Sequence, residues 1–165
     1  MLTDRPRRPD ALWRRAVAWT FVLERNFRNA GRCTHFFTIA IVYGILGMSL
    51  GLHMSITHDH GQMPVHAHAM VAGWLMSAVF GFFYHLYPSV GRSLLARVHF
   101  WLQSVSGIFL LVGLYFLLAG NEAIEPVVAV ASLGFFAGML MFAWIALPVV
   151  WGSVGQRDMV AARAS

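Results

Sequence analysis

The fold is decided by an apolar stretch at residues 98–119, VHFWLQSVSGIFLLVGLYFLLA, which contains no acidic or arginine side chain. A helix needs about 20 predominantly apolar residues to cross the hydrocarbon core of a bilayer, so this stretch predicts a transmembrane helix. Three further stretches have the same character, at 34–56, 65–87 and 124–150, and Glu125 is the only ionised side chain in them. The sequence therefore predicts four membrane spans.

The composition of the whole chain agrees with this prediction. Of its 165 residues, 58% are hydrophobic and 12% are charged, whereas an average soluble domain carries about 25% charged residues. A water-soluble globule is thus excluded, and the length excludes a large multi-domain enzyme. The connections at 57–64, 88–97 and 120–123 are short, which makes successive helices antiparallel neighbours. We expect an all-α integral membrane protein, a four-helix up-down bundle.

Arginine placement predicts the orientation of the bundle. Eight arginines precede the first span, Arg92 and Arg97 lie between the second and third, and Arg157 and Arg163 follow the fourth. The other two connections contain no arginine, and the acidic residues Asp59, Glu122 and Glu125 lie in or beside them. Because basic segments stay in the cytoplasm, we expect a multi-pass protein of the bacterial inner membrane with both termini cytoplasmic. The net charge of +5 is then explained by the arginines that lie on the cytoplasmic side, so it does not indicate nucleic acid as a partner.

Residues 1–33 are predicted to form a separate element, an interfacial amphipathic helix. Apolar side chains recur there at spacings of three and four, and the arginines lie off that stripe. A signal peptide is the alternative, but the apolar run is short and no small-residue cleavage site follows it. The expected organisation is an N-terminal helix at 1–33, a four-helix bundle at 34–150 and a cytoplasmic tail at 151–165. The single cysteine, Cys33, cannot form an internal disulfide.

Eight histidines are the most informative residues of this membrane-embedded chain. An ionisable residue inside a span indicates a functional site, although a single histidine near a membrane boundary more often contacts headgroups and water. Three of them lie toward the predicted cytoplasmic ends of the spans, namely His35, His85 and His99. Five cluster around the first outer connection: His53, His58, His60, His66 and His68.

Two of the outer histidines are predicted to face each other across the bundle. His53 lies near the end of the first span and His68 near the start of the second, so antiparallel helices place them at similar depth. His66 is the substitute for His68, because the two are about 200° apart around a helix and only one can face a given partner. Opposed imidazoles ligate heme iron. We expect His53 and His68 to be axial ligands of a heme b. His35 and His99 lie at matching depth near the cytoplasmic ends and are the candidates for a second heme, so the number of hemes, one or two, stays open.

The outer segment also suits a different metal. Methionines and histidines intermingle between Met48 and Met70, and thioether together with imidazole is a donor set for copper(I). The expected copper ligands are His58, His60 and Met63. The chain contains no HExxH or P-loop motif and no pair of carboxylates inside a span, so metalloprotease and phosphoryl-transfer chemistry lack their residues.

Glycine pairs in the spans have two interpretations. Gly47 and Gly51 form a GxxxG pair, and so do Gly134 and Gly138. Small residues allow helix backbones to approach closely, but they also leave space for a flat ligand between helices. Because four helices hardly enclose a macrocycle and the glycine faces suit a partner, we expect a homo-oligomer.

One segment resembles a known family. The strings at 66–74, HAHAMVAGW, and at 80–88, FGFFYHLYP, resemble the second transmembrane helix of heme-copper oxidase and nitric oxide reductase large subunits. They look still more like small four-span proteins described as cytochrome c oxidase subunit I-like, as does HFWL at 99–102. In the large subunits, a histidine at the outer start of that helix ligates a low-spin heme b. The resemblance implies this role for His68, with His66 as runner-up.

The departures from the large subunits limit what the resemblance implies. Those subunits have about twelve spans, with a copper-binding histidine in the sixth and a histidine pair in the tenth, and nothing here corresponds to them. Oxygen reduction is therefore not expected, and the enzyme class stays unassigned. The expected function is that of a b-type heme protein in electron transfer, with a respiratory redox partner, or in the response to a diatomic gas. The alternatives are a copper-handling membrane protein and a non-catalytic assembly subunit of a respiratory complex.

Overall fold

The computed structural model describes residues 31–152, and within that range the chain folds into helices. Four of these helices are long and apolar enough to cross a membrane. They are α1 (Arg32–Thr57), α2 (Met63–Leu86), α4 (Leu94–Leu118) and α5 (Glu125–Trp151); the short α3 (Pro88–Gly91) lies between α2 and α4. The prediction of an all-α protein with four spans is confirmed.

Local chemistry accounts for several helix ends. The hydroxyl of Ser93 accepts a hydrogen bond from the backbone N–H of Ala96 at 3.1 Å and so caps the start of α4. Pro64 and Pro126 lie in the first turns of α2 and α5, where a missing N–H costs nothing. After α4, Gly120 has a φ of 93°, in the left-handed region that favours glycine, and a single 3-10 turn at Glu122–Ile124 leads into α5.

The helix α2 is interrupted near its start by a π-helical segment. It begins as an α-helix at Met63–His68, continues as a π-helix over Ala69–Leu75 and returns to α-helix at Met76–Leu86. π-helices are rare and occur frequently at functional sites. This segment directly follows the two histidines at positions 66 and 68, so it sets their rotation relative to the rest of α2.

Glycines show how the helices pair. A methyl group on Gly47 or Gly73 would meet the side chain of Met70 or Tyr43 at under 3 Å, which puts α1 and α2 in close antiparallel contact. On the other side of the bundle, a methyl group on Gly138 would collide with Oε1 of Gln103. Both predicted GxxxG pairs thus lie at helix contacts inside the chain.

The helix pair α1–α2 meets the helix pair α4–α5 at a cluster of aromatic side chains. Phe36 of α1, Phe80 and Tyr84 of α2, and His99 of α4 are enclosed there with at most 2% of their surface exposed. This cluster lies at the end of the bundle that carries Arg92, which we term the Arg92 end; the opposite end, with the loop at 58–62, is the His58 end. At the His58 end, the amide nitrogen of Gln62, in the loop before α2, donates to the carbonyl of Tyr115 on α4 at 3.3 Å.

The outer faces of the helices are apolar. Large side chains such as Ile45 and Leu52 on α1, Trp101 on α4 and Trp144 on α5 expose more than half of their surface. In water this area would be unfavourable, whereas in lipid it is the expected surface of a span. The chain is therefore a multi-pass membrane protein that contacts the bilayer. The predicted interfacial helix at 1–33 and tail at 151–165 lie almost entirely outside the described residues.

Candidate functional site

His68 lines a groove on the surface of the bundle. Its Nδ1 donates a hydrogen bond to the carbonyl oxygen of Pro64 at 2.7 Å, one helical turn earlier. A carbonyl can only accept, so the proton of the neutral ring lies on Nδ1, and Nε2 carries the lone pair. The groove runs between α2, α4 and α5 and has a volume of about 540 Å³. None of its lining residues is charged; beside His68 they include Ala67, Ala72, Leu110, Phe136 and Met139.

His66 lies on another face of the same turn. Its Nδ1 donates to the carbonyl oxygen of Gly47 on α1 at 2.8 Å, and its ring covers Gly51, where a methyl group would lie 2.8 Å from Cε1. The two histidines therefore point in different directions, as their spacing of about 200° around the helix predicts. His66 packs between α1 and α2, and His68 lines the groove on the α4 and α5 side.

His53 does not share the groove of His68. It is exposed, and it follows Gly51 by two residues, which is about 200° around α1 from the face that contacts α2. Within the described residues, the structure brings His66, and not His53, to the α1–α2 contact. The assignment of His53 and His68 as paired axial ligands stays a prediction.

The expected copper ligands lie at the His58 end. His58, His60 and Met63 are all exposed, and Nδ1 of His60 donates to the carbonyl oxygen of His58 at 3.2 Å. Among residues 31–152, no group of three or more His, Cys, Asp and Glu side chains converges as a metal site. Copper binding by this loop therefore stays a prediction without a preformed ligand set.

At the Arg92 end, His99 is the most enclosed histidine. None of its surface is exposed, and the rings of Phe36, Phe80 and Phe142 lie 4.8–5.5 Å from its centroid. The hydroxyl of Tyr84 is 2.9 Å from its Nδ1. His35, its predicted partner for a second heme, is exposed, with its ring centroid 5.6 Å from that of Phe100. His85 is exposed as well.

Sequence reasoning did not single out the polar residues that accompany His99. Gln103, Ser104 and Ser106 of α4 are buried, and so is Tyr43 of α1. The signal available in the sequence is the spacing of His99, Gln103 and Ser106, which are four and three residues apart and so occupy one face of a helix.

One catalytic pattern in the sequence is excluded by its surroundings. Residues 47–51, GMSLG, have the GxSxG spacing of a nucleophile elbow, which requires a sharp turn between a strand and a helix. Here the motif lies inside α1, and the hydroxyl of Ser49 donates to the carbonyl of Ile45 at 2.8 Å. This serine is a helix residue with an ordinary backbone hydrogen bond.

The chain matches no model of a known protein family, and neither the curated proteins nor the solved structures include a significant match to it. The resemblance of residues 66–88 to oxidase-like subunits stays a prediction.

Proposed function

We propose that this protein binds heme b within the membrane and that His68 ligates the iron. The observation that carries the proposal is the His68 imidazole, which lines the groove between α2, α4 and α5 while its Nδ1 is held by Pro64. Metal-ligating histidines commonly make such a second hydrogen bond, because it fixes the tautomer and the ring orientation. Since Nδ1 is used in this hydrogen bond, Nε2 is the ring nitrogen whose lone pair is available to bind the iron.

The groove suits a flat, apolar macrocycle. Its volume of about 540 Å³ lies within the range of roughly 300–1,000 Å³ that is usual for ligand and cofactor sites. Ala67 and Ala72 flank His68 with small side chains, while Phe135 and Phe136 line the opposite wall. A lining without charge excludes water from a bound porphyrin and lowers the local dielectric constant, two properties that tune heme potential.

Bound heme supplies reversible one-electron chemistry at iron, and it binds a diatomic gas where one axial position stays open. The groove faces the lipid, so this chain covers one side of a macrocycle. We infer that the second axial position belongs to a histidine of a second copy, in electron transfer with a respiratory redox partner, or to the gas. A homo-oligomer is expected in the first case.

A second heme between His35 and His99 has less support. His99 is enclosed by aromatic rings on several sides, so a macrocycle at its Nε2 would have to displace Phe36, Phe80 or Phe142. We therefore expect at most one heme per chain.

The orientation is part of the proposal. Arg92 lies after α3 and Arg97 in the first turn of α4, whereas Asp59, Glu122 and Glu125 lie at the His58 end. By the positive-inside rule, the Arg92 end and both termini face the cytoplasm of a bacterium, and the His68 groove lies toward the outer leaflet. In a Cys33→Ser background, a cysteine introduced at Gly61 should react with a membrane-impermeant maleimide in intact cells, while one at Ser89 should not.

The decisive experiment is an optical spectrum of the protein purified in detergent with its native lipids. We expect a Soret band and visible bands of reduced heme b, with about one heme per chain by pyridine hemochrome assay, or about one per two chains where two copies share the macrocycle through their His68 residues. His68→Ala should abolish them. His85→Ala, in an exposed histidine of the same helix, is the matched control and should keep the full heme content.

Each other outcome has a defined meaning. A wild-type spectrum in His68→Ala would refute the ligand assignment, and loss in His66→Ala alone would transfer it to His66. Copper without heme in metal analysis would favour the copper-handling alternative at the His58 end. Neither metal in the purified protein would favour an assembly subunit.

A further inference from the structure

A second set of polar atoms is enclosed in the bundle, and heme binding at His68 does not use it. His99 and Gln103 of α4 and Tyr43 of α1 are 0%, 3% and 9% exposed. Among the described residues, no hydrogen-bond partner is present for Nε2 of His99, for either amide atom of Gln103 or for the hydroxyl of Tyr43. These three side chains thus offer four unpartnered polar atoms inside the membrane-spanning part of the bundle.

The three side chains meet one face of α4, with Tyr43 reaching it from α1. His99, Gln103 and Gly107 are each four residues apart, so they share a face and succeed one another at about 6 Å along the axis. Gly107 marks the position of Tyr43, since a methyl group on this glycine would lie 3.1 Å from the tyrosine hydroxyl. This axial rise between successive positions is of the order of the distance that one water molecule bridges with a hydrogen bond of about 2.8 Å on either side.

Leaving these atoms dry would be costly. In the hydrocarbon region no lipid atom can replace a lost hydrogen bond, so buried polar groups there find partners inside the protein. Buried water molecules typically make about three hydrogen bonds to such groups. Glycines border the set at positions 107 and 138, where a methyl group would lie 3.1 Å from the Tyr43 hydroxyl or collide with Oε1 of Gln103, so each of these polar groups lies against the backbone of a neighbouring helix.

We propose that His99, Gln103 and Tyr43 bind a short file of internal water molecules along the inner face of α4. The amide of Gln103 stands in the middle, where its oxygen accepts and its nitrogen donates. At one end, the Tyr84 hydroxyl contacts Nδ1 of His99. At the other end, Tyr43 also lines a separate crevice of about 500 Å³ between α1, α2 and α4. The file provides His99 with a hydrogen-bonded route for proton exchange, which the surrounding phenyl rings do not offer.

Radiolytic labelling with mass spectrometry tests the proposal on the full chain in lipid nanodiscs. A short X-ray pulse generates hydroxyl radicals from water in place, so only side chains next to water are oxidised. Tyr43 and His99 should be oxidised in the wild type, and oxidation of both should fall severalfold in Gln103→Leu. Met54 is the internal control, because it is equally buried at 3% exposure and has a readily oxidised thioether. It should stay unmodified.

A second measurement keeps the proposal falsifiable if Gln103→Leu folds poorly. Tyr43→Phe removes only the hydroxyl, and it should reduce the oxidation of His99 while the helical circular dichroism is unchanged. The thermal unfolding midpoint provides an independent test. If the core is dry, Gln103→Leu should raise this midpoint, because it removes two unpartnered polar atoms. If water molecules are bound, the substitution should lower the midpoint, because it removes their hydrogen-bond partners. Unmodified Tyr43 and His99 in the wild type, or a raised midpoint, would overturn the proposal, whatever the heme content.

Discussion

The hydroxyl of Tyr84 and Nδ1 of His99 lie 2.9 Å apart and join α2 to α4 inside the aromatic cluster. Both residues are enclosed, with 2% and 0% of their surface exposed. Because bulk solvent does not reach the pair, Nδ1 of the imidazole has no substitute donor or acceptor there. The orientation of the most buried histidine is therefore fixed by one hydrogen bond from a neighbouring helix.

Tyr84→Phe should destabilise the protein by about 1–3 kcal/mol, because it leaves Nδ1 of His99 buried and unpartnered while creating no cavity. Denaturant-induced loss of helical circular dichroism in mixed micelles measures the change. Tyr115→Phe is the matched control, since that ring is 44% exposed, and its midpoint should stay within error of the wild type. Equal midpoints for the two variants would show that the Tyr84 hydroxyl contributes nothing.

Gly73→Ala should separate α1 from α2. A methyl group there would lie 2.6–2.9 Å from atoms of the Tyr43 side chain, and overpacking of this kind costs about 1–3 kcal/mol. Gly31→Ala is the control, because its nearest neighbouring atom is 4.0 Å from the added methyl group. The same unfolding assay compares them, and an unaltered midpoint for Gly73→Ala would contradict the close contact.

Ala72→Leu should block the His68 groove without touching the ligand. The larger side chain occupies part of the volume beside the imidazole, so the heme content per chain should fall at least several-fold, with the fold retained. Ala129→Leu makes the same chemical change at an exposed position of α5 and should leave the heme content at the wild-type value. Full heme content in Ala72→Leu would place the porphyrin outside this groove.

Deletion of Val71 should convert the π-helical segment to an α-helix. A π-helical turn holds about one residue more than an α-helical turn, so removing one residue restores α-helical geometry while Met63–His68 keeps its rotation relative to Met76–Leu86. His66 should therefore stay beside Gly47. We expect the helical circular dichroism and the contact between His66 and α1 to be retained.

Deletion of Val79 is the control for the Val71 deletion. It removes a residue from the regular α-helical part, where each residue accounts for about 100° of rotation. Because Phe80 and Tyr84 hold the end of α2 in the aromatic cluster, the preceding residues should rotate and His66 should leave Gly47. The yield of a disulfide in a Gly51→Cys, His66→Cys double variant reports this contact, because the His66 ring covers Gly51 in the structure. The yield should persist with the Val71 deletion and fall with the Val79 deletion; equal yields would contradict the presence of an extra residue in the π-helical segment.

The sequence predicts the spans to within a few residues. The expected spans at 34–56 and 98–119 correspond to Arg32–Thr57 and Leu94–Leu118. This accuracy has a physical cause, since the bilayer sets a minimum length for an apolar helix and arginines do not enter it. The π-helical segment and α3 were not predicted, because neither changes the apolar run nor carries a turn signal strong enough to interrupt it.

The direction in which each side chain points was harder to predict than the position of the helices along the sequence. In a soluble bundle, polar residues mark the outer face of each helix, but in lipid both faces are apolar and rotation leaves no pattern. The 200° between His66 and His68 correctly predicts that they point to different neighbours, yet not which neighbour each one meets. The Tyr84–His99 contact joins residues 15 positions apart on different helices, and only the packed structure reveals it.

The close glycine contacts have a consequence for biosynthesis. Gly47, Gly51 and Gly73 bring α1 against α2, and Gly113, Gly134 and Gly138 bring α4 against α5, so the tightest seams lie between consecutive helices. Each pair can complete its seam as soon as it leaves the ribosome and enters the bilayer. The order of translation is then also the order of assembly, and the aromatic cluster closes last.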